Sequence, residues 1–529
     1  MNLNRNWWKP LVIFGVALLY RIKDVWVNYP FWVDEFSTAA QAKLFLRYGL
    51  GVFHQPGIYF EFQNISTHAL VALFFRLLGP SPFSARLPMV FIGAFVPVLV
   101  WYVGKVVWKD ERIAAVAALL TTFSYFEITW SRQARGYVIQ QVVLLLTVLL
   151  YAKLIAARSS RQRTIFAVCL LCTIGLGIVT HVTYVLVLGI LFLHAAFLFG
   201  KKFIKNKRLL FFLSLVIAVV ALIAWQTGMA YQVVRNILFT FHQGFPNNFW
   251  YYHAFLWREY GLITFLGLFG LILSWPERKS LMSIFGGIFL AFIFFFSFLF
   301  DPYDSRYLLP IFPILFLGTA KTLVLLTDAV TANIHLQKPK WLLKSLPIFL
   351  TLLIVANGYK FVLKPRSFYS VNHDMREIAL IDYDQVYGLI KQKGELEKGQ
   401  TAVIDTWADR MEWYLGAHFQ PGYFLRWPKG EKDLLKQTPY VQNQAGEKIL
   451  PDRQNMRVIA DLSDLQLAMS KYPKGFIWID DSTLSADIIQ YAQQHLTKEL
   501  YLDHYPLDDN PYSIWPGTLY SWGFGNQKK

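Results

Sequence analysis

Long apolar runs alternate with short polar stretches through the first 360 residues of the chain. Most runs approach the length of about 20 residues that a helix needs to cross the hydrocarbon core of a bilayer. The pattern predicts about eleven transmembrane helices, at 7–27, 86–107, 113–130, 137–152, 164–179, 182–199, 209–227, 260–275, 281–300, 307–326 and 341–359. The chain is therefore predicted to be a polytopic α-helical membrane protein, with its transmembrane domain at 1–361.

One apolar run, at 65–78, is too short to span the bilayer. We interpret it as a helix on the membrane surface, within a long first connection at 28–85. The basic residues support this interpretation, because cytoplasmic connections carry the excess of Lys and Arg. With a cytoplasmic N-terminus and 65–78 excluded, every strongly basic connection is cytoplasmic: 105–112, 153–163, 201–208, 278–279 and 338–340.

The unusual polar stretches all fall on the opposite side of the membrane in this topology. They are Asp34-Glu35, the segment 131–135, the segment 181–184, the long loop 231–258 and the segment 301–306. Counting 65–78 as a span would separate the first two carboxylates from the later polar loops. The charge pattern therefore predicts both the topology and an outward-facing site.

The chain changes character after residue 359, where charged and turn residues appear throughout and no further run of membrane length follows. Helical patterns alternate there with short β-branched runs at 401–405, 457–462 and 475–480. This alternation is typical of an α/β domain. The odd number of spans places this predicted domain, 366–529, outside the cytoplasm.

Composition narrows the class of protein further. Only 16% of the 529 residues are charged and 55% are hydrophobic, whereas globular proteins average about 25% charged. The formal charge of +17 does not indicate nucleic-acid binding, since the basic residues cluster in connections.

Cys169 and Cys172 lie within one apolar run, which argues against a disulfide or zinc framework. Arg5 and Lys9 precede the first run without a cleavage site, so we expect an uncleaved first helix.

Two adjacent carboxylates, Asp34 and Glu35, follow the first apolar run among aromatic residues. Acidic side chains next to a membrane helix are costly to place and are functional candidates, although an ordinary solvated loop would also contain them. Arg132 and Arg135, three residues apart, would lie on neighbouring positions of one helix face. Guanidinium groups bind phosphate through paired hydrogen bonds. The alternative is that both arginines extend to the membrane interface.

Three further stretches carry a resemblance to a known family. They are Leu-Gly-Pro-Ser-Pro-Phe-Ser-Ala-Arg-Leu-Pro at 78–88, Ser-Arg-Gln-Ala-Arg-Gly-Tyr at 131–137 and Arg-Tyr-Leu-Leu-Pro at 306–310. Their order resembles that in the integral-membrane glycosyltransferases of the protein O-mannosyltransferase and aminoarabinose-transferase type, which have the GT-C fold. The resemblance covers roughly 11–361, and Asp34-Glu35 resembles the carboxylates of that family's first outer loop.

The resemblance implies inverting transfer of a sugar from a polyprenyl-phosphate donor to a glycan, lipid or protein acceptor at the outer face of the cell membrane. Asp34 matches the general base and Glu35 its acidic neighbour. The implied ligands of the donor phosphate are Arg132, Arg135 and Arg306. The implied substrate contacts are His54, Arg86, Tyr137, His181, Tyr184 and Tyr307.

The sequence departs from the family at His54-Gln55, where some relatives have an acid followed by a lysine. A divalent cation held by Asp34 and Glu35 is left open, and no other cofactor is expected. Glu127 and Asp304 are secondary acids, and Asp304 with Asp301 is placed to orient Arg306.

Two other functions fit the sequence less well. A transporter or flippase of lipid-linked saccharides would commonly show internal repeats with matched broken helices, and no such repeat is evident. A membrane-anchored module that binds glycans would leave Asp34 and Glu35 without a task. An enzyme would work in detergent without two compartments, whereas transport requires them.

The predicted topology can be tested with reporter fusions. A reporter that is active only outside the cytoplasm, fused after Phe524, should be active, and the same reporter fused within 201–208 should be silent. The opposite pattern would reverse the orientation and refute the outward-facing site.

Overall fold

The computed structural model describes residues 8–205 apart from 56–59 and 61–63, residues 245–333 apart from 301, and residues 340–369 apart from 359. It also describes 380–524, except for 417–418, 426–439, 451–455, 481–484, 508 and 511–515. Between 206 and 244 only residues 218, 221, 222 and 225 are described. The predicted helix at 209–227 and the loop residues 231–244 therefore lie outside the described residues, apart from those four positions.

The first 360 residues are helical wherever the structure describes regular elements. The helices are α1 (Trp8–Ile22), α2 (Val33–Tyr48), α3 (Ile65–Leu78), α4 (Pro82–Trp108), α5 (Glu111–Phe123), α6 (Tyr125–Ser131), α7 (Tyr137–Ala156), α8 (Ser160–Ile178), α9 (Tyr184–Lys205), α10 (Phe249–Ala254), α11 (Tyr260–Leu273), α12 (Trp275–Phe298), α13 (Phe312–Asn333) and α14 (Lys340–Asn357). A π-helical turn, Phe255–Glu259, joins α10 to α11, and a 3₁₀ turn, Ser305–Ile311, precedes α13.

Six helical segments of the described chain are long and apolar enough to cross a membrane: Pro82–Trp108, Tyr137–Ala156, Ser160–Ile178, Phe249–Leu273, Trp275–Phe298 and Ser305–Ala332. Ile65–Leu78, Tyr184–Leu198 and Ser345–Asn357 are shorter apolar helices. The prediction of a multi-pass helical protein is confirmed, while the total of eleven spans stays a prediction. The helix predicted to begin at 260 begins at Phe249 instead, because the aromatic segment 249–259 continues it through the π-helical turn.

The helix predicted at 113–130 is interrupted at Ser124, which has an extended backbone (ψ 123°) between α5 and α6. The backbone groups released by this break are paired with a later segment. The Tyr125 amide donates to the Lys360 carbonyl (2.9 Å), and the Val362 amide donates to the Phe123 carbonyl (2.8 Å). An unpaired backbone group in apolar surroundings is costly, so the segment at 360–362 stabilises the break.

Glycines bring α11 and α13 into close contact. A Cβ atom on Gly270 or Gly318 would collide with the main chain of the opposite helix. At the same interface the hydroxyl of Thr322 donates to the Leu266 carbonyl (2.6 Å), and that of Thr319 donates to the Ile263 carbonyl (3.0 Å). Small residues and hydroxyl hydrogen bonds are the usual means by which membrane helices pack together.

The C-terminal region is an α/β domain, as predicted. Its helices are α15 (Tyr383–Gly394), α16 (Ala408–Leu415), α17 (Leu462–Lys471) and α18 (Ala486–His495). Its strands are β1 (Thr401–Asp405), β2 (Gly422–Leu425), β3 (Val441–Gln442), β4 (Lys448–Leu450), β5 (Met456–Ile459), β6 (Lys474–Ile479), β7 (Thr497–Leu502) and β8 (Gly517–Trp522). They form one sheet in the order β3-β4-β5-β2-β1-β6-β8-β7. The inner strands β5, β2, β1 and β6 are parallel, and both edges are antiparallel.

The chain divides into two compact units. One consists of Met1–Trp26, Phe62–Leu70 and Arg86–Tyr369, and the other of Val27–Glu61, Val71–Ala85 and Ser370–Lys529. Much of the first connection, including α2, thus belongs to the same unit as the α/β domain.

The contact between α11 and α13 yields a stability prediction. Gly318→Ala should destabilise the protein by about 1 to 3 kcal/mol, because the added methyl group overpacks the interface. Gly286→Ala in α12 is the matched control, since a Cβ atom there meets nothing within 4 Å. Heating the detergent-purified variants, followed by size-exclusion chromatography, should show a lower midpoint for Gly318→Ala only. Equal midpoints for the two variants would refute the close contact.

Candidate functional site

Four predicted site residues and Trp130 lie around the ring of a fifth predicted residue, Tyr137. Tyr137, the first residue of α7, has its ring centroid 5.7 Å from that of Trp130, 5.5 Å from that of His181 and 6.2 Å from that of Tyr307. The guanidinium carbons of Arg135 and Arg306 each lie 5.9 Å from the same centroid. We call these six residues the Tyr137 cluster: Trp130, Arg135, Tyr137, His181, Arg306 and Tyr307.

The turn between α6 and α7 places Arg135 in the cluster. Arg132 ends α6 as its C-cap, and the Arg135 amide donates to the Gln133 carbonyl (2.7 Å), which closes a tight turn. Gly136 then leads into α7 where no side chain would fit, since a Cβ atom would lie 2.6 Å from the Thr67 hydroxyl oxygen. The sequence Ser-Arg-Gln-Ala-Arg-Gly-Tyr thus encodes a helix end, a turn and a helix start.

Arg306 is held by the 3₁₀ turn before α13. The Asp304 carboxylate caps this turn by accepting from the Arg306 amide (3.0 Å), and it also lies 3.6 Å from the Arg306 Nε atom. The Tyr251 hydroxyl accepts a hydrogen bond from the Ser305 amide (3.0 Å). Asp304 therefore orients Arg306, as the sequence suggested. Asp301 lies outside the described residues.

His181 lies in the turn between α8 and α9. Its Nδ1 atom is 2.7 Å from the Thr183 hydroxyl, which also accepts from Gln140 Nε2 (2.6 Å). The residue keeps partial solvent exposure, but loss of hydration and the charges of Arg135 and Arg306 lower the pKa of His181 from 6.5 to about 3. At neutral pH the imidazole is therefore uncharged and adds no third cation to the cluster.

Arg132 points away from the Tyr137 ring. Its guanidinium donates to the main-chain carbonyls of Arg366 (3.1 Å) and Ser367 (2.7 Å), and it lies 5.0 Å from the centroid of the Tyr369 ring. The side chain is 1% exposed. These contacts tie the segment 366–369 to the end of α6, so Arg132 has a structural task.

The remaining predicted substrate contacts are Tyr184, Arg86 and His54. Tyr184 is fully buried, with its hydroxyl 2.6 Å from that of Thr147 and its ring against Gly177, so it packs α7, α8 and α9 together. Arg86 is fully buried in α4. His54 ends a 3₁₀ turn, Gly49–His54, and its side chain lies outside the described part of the structure.

Asp34 and Glu35 occupy the first turn of α2 and differ in their surroundings. Glu35 is fully buried, and its Oε2 atom accepts a hydrogen bond from the Trp32 amide (3.0 Å). The Glu35 amide in turn donates to the Trp32 carbonyl (2.8 Å). Asp34 is half-buried. Carboxylates are stabilised at a helix N-terminus, and here one of them caps the helix while the other retains access to solvent.

No role was predicted for Gln141, which connects α7 with α6 and with the 3₁₀ turn before α13. Its Nε2 atom donates to the Glu127 carboxylate (2.9 Å) and to the Leu309 carbonyl (2.7 Å). Glu127 itself is 2% exposed, in α6. The signal for such a link was the polar pair Gln140-Gln141 within an apolar run. Trp130 was missed because an aromatic residue at the end of a span is ordinary.

Among the described residues, no three or more His, Cys, Asp or Glu side chains are grouped so that they could hold a metal ion. A divalent cation held by Asp34 and Glu35 stays a prediction.

Comparison with known proteins gives a consistent fold. A family model described as dolichyl-phosphate-mannose-protein mannosyltransferase matches residues 65–225. ArnT from Cupriavidus metallidurans, in the apo state and bound to undecaprenyl phosphate, matches with TM-score 0.58 and 13% identity, over 97% of this chain and 96% of ArnT. The Archaeoglobus fulgidus oligosaccharyltransferase, solved with Zn and sulfate, matches with TM-score 0.52 and 11% identity, over 92% of this chain and 71% of that one. No significant match is found among curated proteins.

The protein is therefore a multi-pass membrane protein with the GT-C fold. The resemblance to glycosyltransferases of the protein O-mannosyltransferase and ArnT type is confirmed.

Proposed function

We propose that this protein is an inverting glycosyltransferase that moves a sugar from a polyprenyl-phosphate donor to an acceptor at the outer face of the membrane. The observation that carries the proposal is the Tyr137 cluster, in which two arginines lie equally far from one aromatic ring. The fold supports it, since one matching structure is of ArnT bound to undecaprenyl phosphate.

The cluster suits a phosphate that leaves as the sugar is transferred. Each guanidinium offers a planar set of donors that match phosphate oxygens, and charge-assisted hydrogen bonds of this kind are roughly twice as strong as neutral ones. The rings of Trp130 and Tyr137 are buried beside the guanidinium groups, and the ring of Tyr307 is half-buried. Donors fixed in such surroundings stabilise the charge that develops on a leaving group. Arg135 and Arg306 take this role, while Arg132 anchors the segment 366–369.

Asp34 takes the role of the general base. Its carboxylate accepts the proton of the acceptor hydroxyl as the hydroxyl oxygen bonds to the anomeric carbon. The bond from that carbon to the phosphate oxygen breaks in the same step, its electron pair leaves with the lipid phosphate, and the anomeric configuration inverts. Glu35 is less suited to this role, because its carboxylate already accepts the Trp32 amide.

The phosphate role separates the three arginines. Arg135→Ala and Arg306→Ala should each lower kcat/KM for a polyprenyl-phosphate sugar by about ten- to a hundredfold, the loss of one charge-assisted contact of about 1.5 to 3 kcal/mol. Lys at either position should restore part of the loss by keeping the charge. Arg161→Ala, on an exposed residue of α8, is the control.

Arg132→Ala should instead lower thermal stability, because it leaves two main-chain carbonyls without their donor. If Arg135→Ala and Arg306→Ala both have the kcat/KM of the parent protein, the Tyr137 cluster does not bind the donor phosphate.

The base role predicts that Asp34→Asn abolishes transfer. The substitution keeps the shape and removes the basic oxygen, and a general base contributes about 10² to 10⁴ in rate. Binding of a labelled lipid donor should persist in the purified variant. Glu35→Gln should cost less, since the amide oxygen can still accept the Trp32 hydrogen bond.

If Asp34 and Glu35 instead hold a cation together, a chelator should inactivate the parent protein and Glu35→Gln should be as damaging as Asp34→Asn. Turnover by Asp34→Asn close to the parental rate would assign the base elsewhere, with Glu127 and Asp304 the next acids to replace.

A further inference from the structure

The α/β domain has the topology of a ligand-binding domain, but its ligand position is filled by the protein itself. Strands β2 and β5 lie on one side of β1 and β6 lies on the other, so the chain changes direction between β1 and β6. Open α/β sheets bind ligands at this point, beyond the carboxyl ends of the strands. Here Asp405 ends β1, Asp480 follows β6, and the guanidinium of Arg410 from α16 lies between them.

The bonds made by Arg410 fix α16 to the edge of the sheet. Its Nε donates to Asp405 Oδ2 (3.0 Å), its Nη2 donates to Asp480 Oδ2 (2.9 Å), and its guanidinium carbon lies 4.1 Å from the centroid of the Tyr383 ring. Tyr387 also donates its hydroxyl hydrogen bond to Asp405. Arg410 and Asp405 are each 1% exposed. A buried pair with all these bonds made resists displacement, because removing one partner leaves an uncompensated charge.

The next turn of α16 contacts the segment that carries the two predicted catalytic carboxylates. The Trp413 ring lies 4.9 Å from that of Phe31, centroid to centroid, and the Lys43 Nζ atom lies 3.7 Å from the centroid of the Trp413 ring. The centroid of the Phe36 ring lies 6.0 Å from that of Tyr414 and 6.0 Å from that of Tyr383. Phe31 and Phe36 are both fully buried or nearly so.

These contacts bracket the first turn of α2. Phe31 comes three residues before Asp34, Phe36 comes two residues after it, and Lys43 lies two turns further along the same helix. Most of the stability of a helix in a protein comes from tertiary packing, so tertiary contacts decide where α2 lies. A displacement of about 1 Å at a catalytic group can reduce the rate by up to about a hundredfold. The position of Asp34 therefore depends on α16.

We propose that the α/β domain serves as a positioning element of the transferase, and that Trp413 is the positioning residue that holds the first turn of α2. The inference rests on the proposed function, in which Asp34 is the base. Trp413 does not contact the reacting atoms. It acts through Phe31 and Lys43, and Arg410 fixes the helix from which it acts.

The test compares full-length variants purified in the same detergent. Trp413→Ala should lower kcat by about ten- to a hundredfold while the Kd for a labelled polyprenyl-phosphate sugar stays within about twofold of the parental value. Trp413→Phe keeps an aromatic ring against Phe31 and should recover most of the rate. A role in general stability would not produce this split between kcat and donor affinity.

Trp522→Phe is the control for damage to the domain. Trp522 is a buried residue of β8 whose indole donates to the Tyr472 carbonyl (3.0 Å), and it belongs to a core cluster that includes no residue of α2. This variant should loosen the domain and leave kcat near the parental value. If it lowers kcat as much as Trp413→Ala does, positioning by Trp413 is refuted.

A double-mutant cycle tests the contact directly. Phe31→Ala should lower kcat as Trp413→Ala does, and the double variant should be little worse than either single variant, because both remove the same contact. Fully additive losses would refute the inference. If Trp413→Ala fails to fold, the same cycle is carried out with Phe31→Leu and Trp413→Leu, which also remove the contact between the two rings.

Asp34→Asn, assayed in parallel, distinguishes the two failures. If Asp34→Asn is inactive while Trp413→Ala turns over like the parent, the positioning role alone is overturned. If Asp34→Asn retains turnover, the proposed base is wrong and the positioning inference falls with it. A loss of donor affinity in Trp413→Ala, with kcat unchanged, would also overturn positioning and make Trp413 a donor contact.

Discussion

The interruption of the helix at Ser124 exposes main-chain donors and acceptors in apolar surroundings, and these groups need partners from another part of the chain. The segment 360–362 supplies them. Because that pairing is made, α6 can start in a new direction and carry Glu127 and Trp130 into the interior. The turn that follows α6 then brings Arg135 to the Tyr137 ring. The arrangement of the site thus depends on a backbone requirement that involves none of its side chains.

Buried arginines also need partners from other parts of the chain, as the backbone groups at Ser124 do. Arg132 donates to two main-chain carbonyls, Arg410 lies between two carboxylates, and Arg306 is held beside Asp304. Buried cations are tolerated only with such partners. The partners also determine the role, since Arg132 and Arg410 are occupied with fixing segments of the chain. Two arginines that look equivalent in the sequence, Arg132 and Arg135, therefore contact different residues: Arg132 the segment 366–369 and Arg135 the Tyr137 ring.

Much of the fold could be predicted from the sequence because its signals are local. The apolar run 65–78 has the bounds of α3, since Gly79 and Pro80 end it, and the β-branched run 401–405 has the bounds of β1. The break at Ser124 carries no such signal, because no Gly or Pro marks it and apolar residues continue on both sides.

The Tyr137 cluster could also be predicted in part from the sequence. Arg135, Tyr137, His181, Arg306 and Tyr307 come together as the motifs suggested, because each motif lies at a helix end. The direction of Arg132 and the contact of Phe31 with Trp413 could not be predicted, since each depends on packing between residues more than 200 positions apart.

The contact between α16 and α2 also constrains the order in which the protein matures. Trp413 follows Phe31 by about 380 residues, so at usual rates of synthesis it is made roughly 20 to 80 seconds later. During that interval the turn bearing Asp34 lacks the partner against which it packs. A chain that ends before α16 would therefore contain its transmembrane helices but lack the residues that position the first turn of α2. The first turn of α2 therefore gains this packing partner only after synthesis has passed α16.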